Sequence, residues 1–222
     1  MAKEYRQPVY RPPAGAADLW LVRHGESMPA IPGQDFPMVD GHGDPALHAT
    51  GLQQAERVGE RLKNIEFAEI YVTKLTRTHQ TAAPLAKWQA KTPKVNPDLH
   101  EVSLGDWDGG LYRIKAAERD PIYVKVLETQ DWSAIPNAET REVFFGRVAR
   151  GLNTIADAHR NERVAVFVHG GVIGAAMALA SGSDAFAFLG AANGSISRIV
   201  VEETGRMSVR GFNDISHLDG LS

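Results

Sequence analysis

Two places in the sequence set an imidazole at the end of an apolar run. Leu19-Trp-Leu-Val-Arg-His-Gly-Glu-Ser27 begins with four apolar residues and turns polar at Arg23-His24-Gly25. Arg163-Val-Ala-Val-Phe-Val168 runs into His169-Gly170-Gly171 in the same way. Runs of this length fit buried strands and are too short for helices. A guanidinium and an imidazole at the end of a core strand are costly to place unless something pairs with them. Open parallel sheets bind their ligands at strand ends. If the two strands are neighbours, two imidazoles and an arginine meet in one pocket. A small-residue helix over 172–180 then starts behind His169. Such a pocket suits an anion, above all a phosphate.

Two further segments hold groups with chemical potential. Arg77 falls in the first turn of a helix expected over 75–88, where a cation opposes the helix dipole and a bound anion would reverse the balance. The span 99–110 holds three carboxylates, Glu101, Asp106 and Asp108, around Trp107 and three glycines. Glu101 follows the apolar Leu99 and, partly buried, is a candidate general acid. Asp106 and Asp108 read as capping or loop residues, but the residues alone do not decide among the three. His42-Gly-Asp44 offers two metal-ligand types without an evident third or fourth, so no metal is expected. There is no P-loop, nucleophile elbow, H-E-x-x-H or calcium loop, and Gly170, Gly171 and Gly174 do not make a dinucleotide fingerprint.

The elements that must position these groups follow from periodicity. The stretch 27–48 is too rich in Pro and Gly for a helix or central strand and reads as a long loop draped over the pocket. Thr50 is the expected cap of a helix over 50–62, with Leu52, Ala55, Val58 and Leu62 on its apolar face. Short strands are expected over 69–72 and 93–96. Residues 111–140 form a mixed excursion, helical at 114–119, interrupted by Pro121, resuming over 123–127 and looping over 132–138. We read it as a partial lid. Thr140 caps a helix to about residue 161, with Val143, Phe144, Val148, Leu152, Ile155 and Ala156 on one face. Two period-two runs, 195–201 and 206–212, make a hairpin around 202–205. Strands alternating with helices, then a hairpin, predict an α/β fold, three layers α/β/α around a mostly parallel central sheet.

The bulk properties narrow the class. A chain of 222 residues with 43% hydrophobic and 23% charged residues has the balance of a soluble globular protein. No composition break divides it, so we expect a single domain over 18–222 behind a flexible N-terminal extension, 1–17. The net charge of −3 and the absence of a basic block point to no nucleic-acid or membrane partner. The absence of cysteine excludes disulfides and a thiol nucleophile and fits the cytoplasm. The hairpin edge leaves room for a homodimer.

Five motifs in order resemble the histidine phosphatase superfamily, also called phosphoglycerate mutase-like. They are Leu-Val-Arg-His-Gly-Glu at 21–26, Thr-Gly-x-x-Gln-Ala at 50–55 and Leu-Thr-Arg-Thr-x-Gln-Thr-Ala at 75–82. Leu-x-Glu with Gly-x-Trp-x-Gly at 99–109 and Val-x-His-Gly-Gly at 168–171 complete the set. The resemblance implies that His24 is the nucleophile and carries the phosphoryl group. Arg23, Arg77 and a charged His169 hold its oxygens, with backbone donors near Gly170. Glu101 protonates the leaving oxygen and then activates water. No metal or cofactor is implied. Glu101-Val-Ser-Leu-Gly105 is similar to the phosphatase branch rather than to the Glu-Arg-His-Tyr-Gly of cofactor-dependent mutases, and Ser27-Met-Pro stands where mutases carry Trp-Asn. Asn137-Ala-Glu-Thr140 resembles an altered Gly-Glu-Ser segment of the family, and Asn193-Gly-Ser195 is similar to a segment near its pocket.

The leading expectation is therefore a metal-independent phosphomonoester hydrolase acting on a small phosphorylated metabolite. A phosphoglycerate mutase would share the phosphohistidine but return the phosphoryl group to a substrate and require a primer. A catalytically weak phospho-ligand binding module would fold without forming a phosphoenzyme.

Overall fold

A strand covered on both faces is apolar at nearly every position, and two such strands form the centre of this molecule. The computed structural model describes residues 4–221. In chain order the elements are β1 (Ala17–Arg23), the short pair β2 (Met38–Val39) and β3 (His42–Gly43), α1 (Ala49–Leu62), β4 (Glu69–Val72), α2 (Thr76–Trp88) and β5 (Lys94–Val95). Then follow α3 (Leu111–Glu118), α4 (Pro121–Thr129), α5 (Arg141–Ala158), β6 (Arg163–Val168), α6 (Gly170–Ser181), β7 (Ile196–Val201) and β8 (Met207–Asp214). The main sheet has the order β5-β4-β6-β1-β7-β8. β1, β4, β5 and β6 run parallel, and β7 and β8 add an antiparallel edge.

The period-two alternation of side chains sorts the two central strands into two cores. Leu19, Leu21, Val164, Val166 and Val168 face α5 and α6, packing with Val148, Leu152, Ile173 and Met177. Val22, Ala165 and Phe167 face the other way, onto Val58 and Leu62 of α1 and Leu85 of α2. Phe167 is fully buried, and each such side chain contributes about 1.5–3 kcal/mol. The result is the expected three-layer α/β/α arrangement.

Several local expectations are corrected. α1 starts at Ala49, and its cap is the His48 side chain, which accepts from Thr50 N, rather than Thr50 itself. Leu52 and Val143 lie outside the buried faces of α1 and α5, 49% and 59% exposed. Pro121 does not break a helix but begins α4 at its first turn, where its missing N–H is harmless. The loop 27–48 contains the β2–β3 pair, and Ser27 bridges to Leu47. Residues 132–138 include a 3-10 turn, Trp132–Ala134, and bury Trp132 and Ile135. Trp132 packs edge-on against Phe144 of α5 at 5.3 Å and against Phe186 at 4.5 Å. The excursion is thus fastened to the core at its far end. β1 also starts one residue before the expected boundary, with Ala17 buried.

Candidate active site

β1 and β6 are adjacent and in register, Arg23 opposite Val168, so the residues that follow them emerge side by side. The imidazole rings of His24 and His169 lie 5.2 Å apart, as the two matching strand ends predict. The β1 end is held by hydrogen bonds with β6, residues 193–195 and α2. His24 N donates to Val168 O at 3.0 Å, Arg23 N to Ser195 O at 3.0 Å and Gly194 N to Arg23 O at 3.1 Å. Asn193 Nδ2 donates to His24 O at 3.0 Å, and Gly25 N to Thr81 Oγ1 of α2 at 3.0 Å. The backbone at Gly25 and Glu26 crosses the start of α1 so closely that a Cβ on Gly51 would collide with Glu26 O. Only glycine allows the approach, which gives the Thr50-Gly51 motif its physical meaning.

The hydrogen bonds fix the chemistry of each imidazole. His24 is buried, and its Nδ1 lies 2.8 Å from Gly25 O while Arg77 Nε donates to its Nε2 at 3.2 Å. A carbonyl oxygen only accepts and a guanidinium N–H only donates, so Nδ1 carries the proton and Nε2 presents a lone pair. Burial, then the charges of Arg77 and Arg23, hold His24 well below the ordinary histidine pKa. The ring is a neutral nucleophile with its reactive nitrogen beside a cation.

His169 is fully buried and does not itself line the adjoining cavity. Burial, then Arg77, hold it well below the ordinary histidine pKa, against the charge expected of it. Its Nε2 is 3.0 Å from Thr73 Oγ1. Thr78 spends its own hydroxyl proton on Leu75 O at 2.8 Å, so the single Thr73 proton goes either to Thr78 Oγ1 at 3.2 Å or to His169 Nε2. In the arrangement where Thr73 donates to His169 Nε2, Nδ1 carries the ring proton. His169 Nδ1 and Arg23 Nε are both buried without a hydrogen-bond partner among the described residues.

Arg77 is buried at the start of α2, with its pKa pushed down to about 10 by burial and supported by Glu101 and Asp44. Asp44, from the loop, accepts from Thr76 N at 2.8 Å and Thr76 Oγ1 at 2.6 Å and lies 3.8 Å from Arg77. This carboxylate is the anion that the helix start and the misplaced cation call for. Arg77 also donates to Gly43 O at 2.8 Å. Arg23 reaches Ala191 O and has its pKa lowered by burial.

Glu101 faces the same cavity as His24, Arg23, Arg77 and Gly170, which has a volume of about 480 Å³. One carboxylate oxygen accepts from Gly171 N at 3.1 Å, and the other from Val102 N at 3.0 Å. A Cβ on Gly171 would overlap Glu101 Oε1, so the second glycine of His-Gly-Gly makes room for the acid. Asp108 likewise accepts two backbone donors, Leu104 N at 2.8 Å and Gly43 N at 3.4 Å, while Asp106 accepts from Asn137 Nδ2 at 2.9 Å. Glu101 and Asp108 both line the cavity, and the contact to Gly171 at the start of α6, beside His169, sets Glu101 apart from the other two carboxylates.

The segment bearing Glu101 is clamped by residues that local sequence does not reveal. Arg147 of α5 donates to the carbonyls of Asp98 at 3.0 Å, His100 at 2.7 Å and Glu101 at 2.8 Å. It also pairs with both oxygens of Glu139, which in turn accepts from Ser103 N at 3.3 Å. Glu139 is the carboxylate of the altered Gly-Glu-Ser segment. His42, the other half of the His42-Gly-Asp44 pair, has its Nε2 3.0 Å from Glu101 O and its Nδ1 3.1 Å from Asp40 O.

Comparison with known proteins bears on the family and the fold. The chain is 30% identical over 206 residues to phosphoglycerate mutase-like protein 4 of Arabidopsis thaliana, covering 91% of this chain and 87% of the relative. It is 31% identical over 210 residues to a metal-independent phosphoserine phosphatase of the same plant, covering 92% and 84%. The fold matches the crystal structure of a phosphoglycerate mutase from Bacillus anthracis with a TM-score of 0.76 at 23% identity, over 94% of this chain and 97% of that one. No helix among the described residues is long and apolar enough to cross a membrane. The family described as the histidine phosphatase superfamily (branch 1) matches residues 19–215, and the chain belongs to that superfamily.

Proposed function

We propose that this phosphatase cleaves phosphomonoesters in two steps with His24 as the phosphoryl carrier. The observation that carries the reading is the His24 tautomer: Nδ1–H is held by Gly25 O and Nε2 is unprotonated, its lone pair accepting from Arg77 Nε until a phosphoryl group takes that donor. In the first step the Nε2 lone pair forms the N–P bond, the P–O bond to the alcohol breaks, and the Glu101 carboxyl gives its proton to the leaving oxygen. In the second, Glu101 takes a proton from water as that water attacks phosphorus, the N–P bond breaks, and phosphate leaves neutral His24 behind. Charge on the transferring group spreads over three oxygens in the transition state. Arg23 and Arg77 supply the fixed positive charge for it, and His169 Nδ1–H a neutral donor. The unpartnered Arg23 Nε and His169 Nδ1 support these roles, because buried donors without acceptors are costly until a ligand satisfies them.

The test follows phosphate release from an aryl phosphate with a chelator present. The wild type is expected to turn over under chelation, and His24→Ala to lose activity. Turnover that persists in His24→Ala would sink the nucleophile. Turnover only with a bisphosphoglycerate primer would move the reaction to the mutases.

A further inference from the structure

Beyond the phosphoryl-binding end, the cavity changes character. Arg23, His24, Arg77 and Gly170 come from strand ends and helix starts and Glu101 from the segment clamped by Arg147, whereas most of the remaining wall comes from the loop 28–48, residues 104–132 and the turn at 189–190. That outer wall is built of Phe36, Leu104, Trp107, Tyr123, Leu127 and Leu189. Its aromatic rings are mutually packed: Tyr112 lies 6.3 Å from Trp107 and 5.8 Å from Tyr123, ring centre to ring centre. Burial raises the Tyr112 phenol pKa to about 12, in keeping with an apolar setting.

Arg113, Asp108 and His42, polar side chains of this outer region, each have a partner. Arg113 donates to Ser27 Oγ at 2.7 Å and Met28 O at 2.9 Å, and its guanidinium lies 5.2 Å from the Phe36 ring centre. Both Asp108 oxygens accept backbone N–H groups, and both His42 nitrogens face carbonyl oxygens. Arg113 keeps N–H groups beyond these two bonds, but a carboxylate on the leaving alcohol would also lie near the carboxylates of Asp108 and Glu101. A flat apolar body would meet rings and leucines at no such cost. A cavity of about 150 Å³ accommodates one benzene ring. The volume of about 480 Å³ thus leaves room for a phosphoryl group and one or two rings.

We propose, on the basis of the phosphohydrolase reading above, that the preferred substrates are phosphate monoesters of alcohols with a flat, uncharged, largely apolar body. Esters whose alcohol carries a carboxylate are then poor substrates. Selection lies in the aromatic wall of the excursion and not in the phosphoryl cluster.

The test uses primary alkyl phosphates of similar intrinsic reactivity, so that leaving-group chemistry does not mimic specificity. The probes are 2-phenylethyl phosphate, glycerol 1-phosphate and 3-phosphoglycerate. The phenylethyl ester is expected to exceed glycerol 1-phosphate in kcat/KM by about tenfold or more, the discrimination a small apolar increment earns in a closed pocket. The carboxylated ester should rank lowest. Leu127 is 40% exposed at the cavity wall, so a substitution there spares the core. Leu127→Lys is expected to raise kcat/KM for 3-phosphoglycerate and lower it for the phenylethyl ester. Tyr123→Ala should lower the phenylethyl ester selectively. Equal rates for the three esters, or a preference for 3-phosphoglycerate, would overturn the inference while leaving the phosphatase reading intact. Absence of turnover with all three and with an aryl phosphate would overturn both.

Discussion

Gly171→Ala separates the chemistry of this site from the stability of its fold. Gly171 is the second residue of α6, and the atom in the way of a new Cβ is the carboxylate end of Glu101, with Glu101 Cδ at 3.2 Å and Phe144 Cζ at 3.5 Å. The obstacle is the tip of a flexible side chain, so the backbone need not move: Glu101 rotates away and loses its bond from Gly171 N. Displacing a reacting group by about 1 Å costs about 10²-fold in rate, or about 2.7 kcal/mol of barrier. Alanine meanwhile favours helix over glycine by up to about 1 kcal/mol. For a chain of this size, that corresponds to an upward Tm shift of about 2–4 °C per kcal/mol at most. The assay pairs thermal unfolding with kcat on an alkyl and an aryl phosphate. The alkyl ester, whose leaving oxygen needs the proton most, should fall about 10²-fold, the aryl ester less, and Tm should hold or rise. Wild-type turnover of the alkyl ester would refute the placement of Glu101 as the acid. Loss of activity together with a large fall in Tm would refute the claim that the fold tolerates the methyl group.

Other expectations follow from the same contacts. Arg147→Ala removes three carbonyl bonds and strands Glu139 in a pair whose side chains are only 14% and 12% exposed, so stability should fall by about 3–5 kcal/mol in denaturant titration. Arg147→Lys should not restore it, because an ammonium cannot reproduce the fork. Asn193→Ala loses the donor to His24 O and should cost about 1 kcal/mol of stability with a larger proportional loss of kcat, measured on the same aryl ester. His24, His169 and His100 are all held below the ordinary value of 6.5, first by burial, with His100 at about 4. The unfolded chain therefore takes up protons that the folded chain refuses. Stability is full above pH 6.5 and is lost as pH falls from there toward the folded values, by about 1.4 kcal/mol per pH unit for each proton. Denaturant midpoints at pH 7 and pH 5 check the sign, and an unchanged midpoint would contradict it.

The sequence made the centre of the molecule readable because both signals there are local. The apolar runs of β1 and β6 are continuous, and each ends in His-Gly, so the two imidazoles could be placed together before any contact was known. Helix faces were less readable: Leu52 and Val143 fit an apolar stripe by spacing, but the neighbouring layer covers only part of it. The cap of α1 was misread because Thr50 has the usual chemistry, whereas His48 is held over the helix start by its own N–H on Glu26 O. The supports of the site were invisible for a different reason. Arg147, Thr73, Asn193 and His42 act through partners tens of residues away, and nothing in their immediate surroundings marks them. Asn193-Gly-Ser195 and Glu139 stood out only as segments similar to the family, without a role. The charge of His169 could not be read either, since it depends on complete burial beside Arg77.

The most direct measurement is to quench the enzyme in mid-turnover with an isotopically labelled phosphomonoester and map the labelled residue. The account predicts one acid-labile, base-stable phosphoryl group on His24 Nε2, absent from His24→Ala and longer-lived in Glu101→Gln when an activated aryl ester forms it. Label on His169, or turnover with no trapped phosphohistidine in either background, would contradict it.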